Sequence, residues 1–265
     1  MEENNEFLKS LEMPNELNLP PASFQFVNLG DYGYLIAIEK FRQLHNLMAT
    51  ARFALSQAHQ KLHKSPVLWS SGYIGQIWLR TQYLKNAVLW YNSCDDYFLQ
   101  IIWFAFDFFN PHTLTKPEVY KNLLKKCRWE SLKKPLIPRK SEANIELLLL
   151  KINELHSDND LKEVRNIANS LKHHADIFIQ DLDLQPDFSL TSYQGFNSEA
   201  VANTGLDIDE TVLLLQKAHQ KLTDFSKFLI NYIDFDKPFE NDEKGVIHLD
   251  RIKEKSLYKK FYIFP

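Results

Sequence analysis

Residues 90–109 read WYNSCDDYFLQIIWFAFDFF, and this run decides the fold class. Trp90, Cys94, Tyr97, Phe98, Ile101, Ala105 and Phe108 advance by helical steps, while Trp103, Phe104 and Phe106 make the same helix apolar nearly all round. A helix without a polar face has to be surrounded by others. Its most apolar part, residues 97–109, is 13 residues long and contains Gln100 and Asp107, too short to span a bilayer. The run is therefore predicted to be a central helix of an all-α, multi-helix bundle.

The helical pattern continues on both sides. Upstream, Leu35, Ile38, Leu44, Met48, Phe53, Leu55 and Leu62 recur at three- and four-residue steps over 34–64, and Pro66 closes the segment. The central segment spans 68–109 and ends before Pro111; Gly72 and Gly75 leave open whether it is one long helix or two. Thr115 as N-cap and Pro117 in the first turn open a basic helix to about residue 129. LKKPLIPRK, residues 132–140, reads as a proline-broken basic linker and the best place for an internal boundary. Ser141 caps the helix that follows, and SDND at 157–160 ends it and caps a helix over 161–175.

Between 176 and 207 the helical period disappears, and Ile177, Ile179, Leu182 and Leu184 among Asp and Gln predict a short hairpin or extended loop. Asp209 and Glu210 open a long helix through Thr211, Leu215, Leu222, Phe225, Leu229 and Tyr232. Residues 1–30, with Pro14, Pro20 and Pro21, read as a loosely ordered arm holding one short helix, and 31–265 as a single helical domain. The tail from 234 alternates charge and ends in Tyr258, Phe261, Tyr262 and Phe264, the pattern of a docked arm. Ala-His-Gln-Lys-Leu occurs at 58–62 and again at 218–222 without matching surroundings, which reads as recurrence of good helix formers rather than duplication.

Composition narrows the function. Seven glycines in 265 residues favour helices with short connections over sheets and Gly-rich phosphate loops. A net charge of −3 gives no global attraction to nucleic acid. The acidic, polar N-terminus lacks the basic and apolar regions of a signal peptide, and two distant cysteines, Cys94 and Cys127, read as reduced thiols of a cytoplasmic protein. The phosphate-loop, dinucleotide-turn, zinc-hydrolase, nucleophile-elbow and Cys-x-x-Cys signatures are all missing. No cofactor is implied.

Polar function concentrates in LKEVRNIANSLKHH, residues 161–174. On a helical wheel with Arg165 at zero, Asn169 falls at about 40°, His173 at about 80°, Asn166 at about 100° and Lys172 at about −20°. Val164, Ile167, Ala168, Leu171 and Ala175 occupy the opposite side. A solvated face is the plain explanation, but such faces carry Glu and Lys; two asparagines with poor helix propensity call for another reason. Buried hydrogen bonding is one, and anion recognition with the neighbouring cations is the other.

At these residues the sequence resembles the HEPN superfamily, all-helical proteins marked by an arginine, usually followed by a polar residue, and a histidine one to two turns later. Arg165, Asn166 and His173 match that pattern, although seven residues separate Arg165 from His173 where the family usually has four to six. The resemblance extends in architecture over roughly residues 70–233, with long helices before the motif and one after it. It implies metal-independent RNA cleavage at a homodimer cleft, with Arg165, Asn166, Asn169 and His173 as catalytic residues and Lys172 and His174 binding substrate. It equally accommodates a non-catalytic dimerisation or protein-interaction module, since many members are inactive.

Asp95 and Asp96 lie on the most apolar helix, where an inward carboxylate needs a partner, and Arg165 is the candidate. His173 and His174 diverge by about 100° and have no carboxylate or cysteine at ligand spacing, so no metal site is predicted. Lys121, Lys125, Lys126, Arg128, Lys133, Lys134, Arg139 and Lys140 surround Trp129. They read as a solvated helix face plus linker, with nucleic-acid backbone tracking and stacking on Trp129 as the alternative.

Overall fold

The computed structural model describes residues 2–13, 32–61, 72–106, 108, 116–173, 178–179, 205–233, 239–241 and 247–249. Among them run eight α-helices: α1 (Glu2–Ser10), α2 (Tyr32–His59), α3 (Tyr73–Ala105), α4 (Pro117–Lys126), α5 (Trp129–Leu136), α6 (Ala143–Ser157), α7 (Asn159–His173) and α8 (Ile208–Ile233). Four strands of two or three residues, β1 (Phe178–Ile179), β2 (Gly205–Leu206), β3 (Phe239–Asn241) and β4 (Ile247–Leu249), complete the order. The protein is an all-α multi-helix bundle.

Residues 90–105 of the run quoted first lie in α3, which is one continuous helix of 33 residues and so about 50 Å long. Gly72 stands just before it, and Gly75 is buried in its opening turns. Cys94, Phe98, Ile101, Ile102, Trp103, Phe104 and Ala105 are all buried, as a helix apolar on every side requires, and Phe106, in the turn that follows, is buried too. No described helix is long and apolar enough to cross a membrane.

Two compact units divide the chain. One comprises Met1–Glu12, Met48–Asn92 and Ser157–Lys221, the other Met13–Leu47, Ser93–His156 and Leu222–Pro265. In the first, Ala51, Ala54, Leu55 and Ala58 of α2, Leu84, Ala87 and Val88 of α3, Val164 and Ala168 of α7, and Val212 and Leu215 of α8 are buried. Arg80 of α3 donates from Nε to the Ala58 carbonyl at 2.7 Å, satisfying an acceptor at the C-terminal end of α2, and also pairs with Asp209 in the first turn of α8.

The N-terminal segment is tied into the same unit. Leu11 is buried; Arg52 donates to the Leu8 carbonyl at 2.5 Å, and Gln216 to Ser10 Oγ at 3.1 Å. Phe7 stacks on His59 with ring centres 4.0 Å apart, and His219 Nε2 lies 2.6 Å from the Glu12 carbonyl. Both Ala-His-Gln-Lys-Leu copies thus hold this segment through their histidines. The short helix expected in the arm is α1; residues 14–31 lie outside the described residues.

In the second unit, Phe41 and Leu44 of α2, Phe98 and Ile101 of α3, Leu132 and Leu136 of α5, Leu148 and Ile152 of α6, and Leu222, Phe225 and Leu229 of α8 form the core. Phe98 meets Phe225 edge-on, with centroids 4.8 Å apart and ring planes at 84°. Tyr232 of α8 donates its hydroxyl to the Asn144 carbonyl at the start of α6 at 2.7 Å.

Two local expectations are corrected. Residues 132–140 are not a linker: 132–136 belong to α5, which carries Pro135 inside it, and Ile137–Arg139 form a 3-10 turn. Leu132 and Leu136, one turn apart and fully buried, hold the helix, and burying each contributes about 2 kcal/mol against the local cost of proline. The basic helix α4 ends at Lys126, its N-cap is Lys116 without a side-chain cap bond, and Trp129 opens α5 instead. In the segment expected to be a short hairpin or extended loop, β1 pairs with β2 in parallel, Phe178 opposite Gly205 and Ile179 opposite Leu206, so these two strands are not hairpin partners and the extended-loop alternative stands. Residues 180–204 and the aromatic tail beyond 249 lie outside the described residues.

Candidate functional site

The helix that carries the motif, α7, has a built start. Asp158 accepts the Leu161 N–H at 3.0 Å as an N-cap, as SDND foretold, and Lys221 of α8 reaches Asp158 at 2.5 Å and Asp160 at 2.6 Å. Burial works to raise the Asp158 carboxyl, but the hydrogen bonds from Lys221 and the Leu161 N–H outweigh it and hold the group below its usual range. Burial opposes the charge on Lys221 too, and the two carboxylates raise its pKa regardless. An acidic first turn also suits the positive end of the helix dipole.

From that anchor the helix presents two faces. Leu161, Val164, Ile167 and Ala168 are buried, with Leu171 half-buried. Asn166, Asn169, Lys172 and His173 are exposed and Arg165 is half-buried, so the structure brings the predicted site residues onto one accessible face of α7. Neither asparagine bonds another described side chain, which removes buried hydrogen bonding as the reason for their presence. His174 and Ala175 lie outside the described residues.

Of the acidic pair, Asp96 is exposed and Asp95 is half-buried, with His156 Nδ1 3.5 Å from its carboxylate. His156 comes from the end of α6, and Asp95 from α3 and Trp129 from α5 meet it there. Its ring stacks on Trp129, 5.3 Å between centroids with planes 22° apart, and the Lys133 ammonium sits 4.8 Å from the same indole. Trp129 is therefore engaged within the fold rather than available as a base-stacking platform. Beside it an open cavity of about 680 Å³ is lined by Trp129, Lys133, Ile137, Lys140, Leu149 and Leu150.

Sequence reasoning missed His156 and His219. His219 is completely buried and sits in a hydrogen-bonded chain: a carbonyl only accepts, so Nε2 carries the proton donated to Glu12, and Nδ1 accepts the Tyr91 hydroxyl at 3.0 Å. Burial pushes this histidine down to about 4. Its signal in the sequence was its position one turn from Leu215 and Leu222 on the apolar stripe of α8. Both cysteines are buried and free; burial pushes the Cys127 thiol up to about 12 and the Cys94 thiol further in the same direction, which makes neither a nucleophile. Among the described residues no three His, Cys, Asp or Glu side chains are grouped to hold a metal ion.

No protein-family model matches this chain, and neither a curated protein nor a solved structure does so significantly.

Proposed function

We propose that the protein is a HEPN-like ribonuclease, with the polar face of α7 cleaving RNA phosphodiesters at a cleft between two copies of the chain. The observation that carries this reading is the exposure of Asn166 and Asn169 beside His173 and Arg165 on a helix whose start is fixed by Asp158 and Lys221. Residues of poor helix propensity, exposed and bonded to no described side chain, fit a face that binds an external anion.

The chemistry follows from the residue types. His173 takes the proton of a ribose 2′-hydroxyl, whose oxygen attacks phosphorus, and Arg165 holds the charge that builds on the non-bridging oxygens. The bond from phosphorus to the 5′-oxygen breaks and that oxygen takes a proton from water, giving a 2′,3′-cyclic phosphate and a 5′-hydroxyl end. Arg165 and His173 are about 12 Å apart along the helix axis. An antiparallel partner helix would set the arginine of one copy beside the histidine of the other, which is why a homodimer belongs to the proposal.

The second reading is a non-catalytic dimerisation or protein-interaction module, and the specific observation in its favour is the seven-residue gap between Arg165 and His173. The deciding experiment is cleavage of labelled single-stranded and structured RNAs in excess EDTA, with Arg165→Ala and His173→Ala alongside. The ribonuclease reading expects cyclic phosphate ends and a loss of about 10²-fold to 10⁴-fold in rate for either variant. No cleavage by a folded dimeric parent favours the module.

A further inference from the structure

Charge along this chain is unevenly distributed. Nine of the 31 Lys and Arg but only two of the 34 Asp and Glu fall within residues 116–140, so this run is net +7 while the other 240 residues are net −10. The structure turns those cations outward: Lys116, Lys121, Lys125, Lys126, Arg128, Lys134 and Lys140 are exposed. Lys133 is paired with Glu130, and Arg139 with Glu142, but none of the seven exposed cations meets a carboxylate within the described residues. α4 and α5 make this surface. On α4, Lys121 and Lys125 stand one turn apart, about 6 Å along the axis and about 40° around it, with Asn122 beside them.

We propose that the α4–α5 surface is a binding site for the phosphodiester backbone of nucleic acid. Seven exposed cations that meet no carboxylate among the described residues repel one another, and a polyanion that releases counterions as it binds relieves that repulsion. A membrane surface fits less well. The apolar sides of these helices are turned inward, with Leu132 and Leu136 buried, Tyr120 against Phe104 and Trp129 against His156. Within 116–140 a single large apolar side chain, Ile137, is exposed, too little to anchor the surface in an acyl layer. With Trp129 engaged, recognition is by charge rather than by base stacking. The inference stands on the second unit alone and does not depend on α7 being catalytic.

The test is fluorescence anisotropy of the full chain with labelled oligouridylate and oligothymidylate of about 20 nucleotides, between about 50 and 200 mM KCl. If Lys121, Lys125, Lys126, Arg128 and Lys134 each neutralise a phosphate, log K falls with log salt at a slope of about −3.5, a loss of about a hundredfold over that range. Lys121→Gln with Lys125→Gln, confirmed folded by thermal melting, shallows the slope by about 1.4, whereas Lys217→Gln, at an exposed position of α8, leaves it unchanged. The two oligonucleotides distinguish RNA from DNA as the source of the backbone. Absence of binding at low salt, a slope indifferent to the double substitution, or binding to phosphatidylserine vesicles without binding to either oligonucleotide would overturn the proposal.

Discussion

Replacing His219 with glutamine tests the reading of the buried hydrogen-bonded chain through pH. In the fold this histidine is pushed down to about 4, by burial first and by Arg52 as well, against an ordinary value of 6.5. The unfolded chain therefore binds a proton below pH 6.5 that the folded chain refuses, so the contribution to stability is full above that pH and is lost as pH falls toward 4. The whole effect is about 3 kcal/mol, and about 2 kcal/mol of it falls between pH 7.5 and pH 5. Urea unfolding followed by circular dichroism at those two pH values measures it. Carboxylates held low by partners, Asp158 and Asp209 among them, titrate alike in parent and variant and cancel in the difference. His219→Gln is expected to be less stable than the parent at pH 7.5 by about 1 to 3 kcal/mol, through the loss of the Tyr91–His219 hydrogen bond, and to lose about 2 kcal/mol less on acidification. An equal loss in both proteins would refute a neutral, buried His219.

Phe98→Ala should lower stability by about 3 to 5 kcal/mol, measured by the same unfolding, because the ring is buried in the core of the second unit against Phe225. Neither Cys94 nor Cys127 should react with a thiol reagent in the native protein, and both should titrate on unfolding; fast native labelling would contradict their burial. Lys221→Met should cost no more than about 1 kcal/mol, since the ammonium is partly exposed. Because the lysine holds the Asp158 carboxyl low, that cost is present above pH 3.8 and disappears as pH falls through the folded value, which unfolding at pH 3 and pH 7 would reveal.

What was legible in the sequence was whatever a helical period could carry. The buried residues of α3 and α7 follow directly from their three- and four-residue spacing, and Asp158 was visible as a cap because the side chain and the N–H it accepts are three residues apart. The failures are of two kinds. Prolines at 135 and 138 argued for a linker, yet the burial of Leu132 and Leu136 outweighs a local penalty, and burial is a tertiary fact. The partners of Asp95 and Tyr91 come from residues 61 and 128 positions away, His156 and His219, and no spacing rule reaches so far. A wheel shows which side of a helix turns inward. It does not say what waits there.

The same distinction sharpens the argument over α7. From the sequence, Asn166 and Asn169 had either an internal hydrogen-bonding role or an external one, and their exposure leaves the external one to explain them. Their replacement by alanine then has opposite expected effects on stability and on function. Each asparagine in a helix costs up to about 0.7 kcal/mol relative to alanine, and no described side chain bonds to either, so Asn166→Ala with Asn169→Ala should stabilise the protein by about 1 kcal/mol. If the face orients an RNA phosphate, the more stable variant is also the poorer ribonuclease. Thermal melting and the EDTA cleavage assay on the same preparation measure both. A variant that is destabilised by several kcal/mol would mean that the asparagines hold the fold together after all, and one that is stabilised with cleavage intact would remove them from the site while leaving Arg165 and His173 to be judged alone.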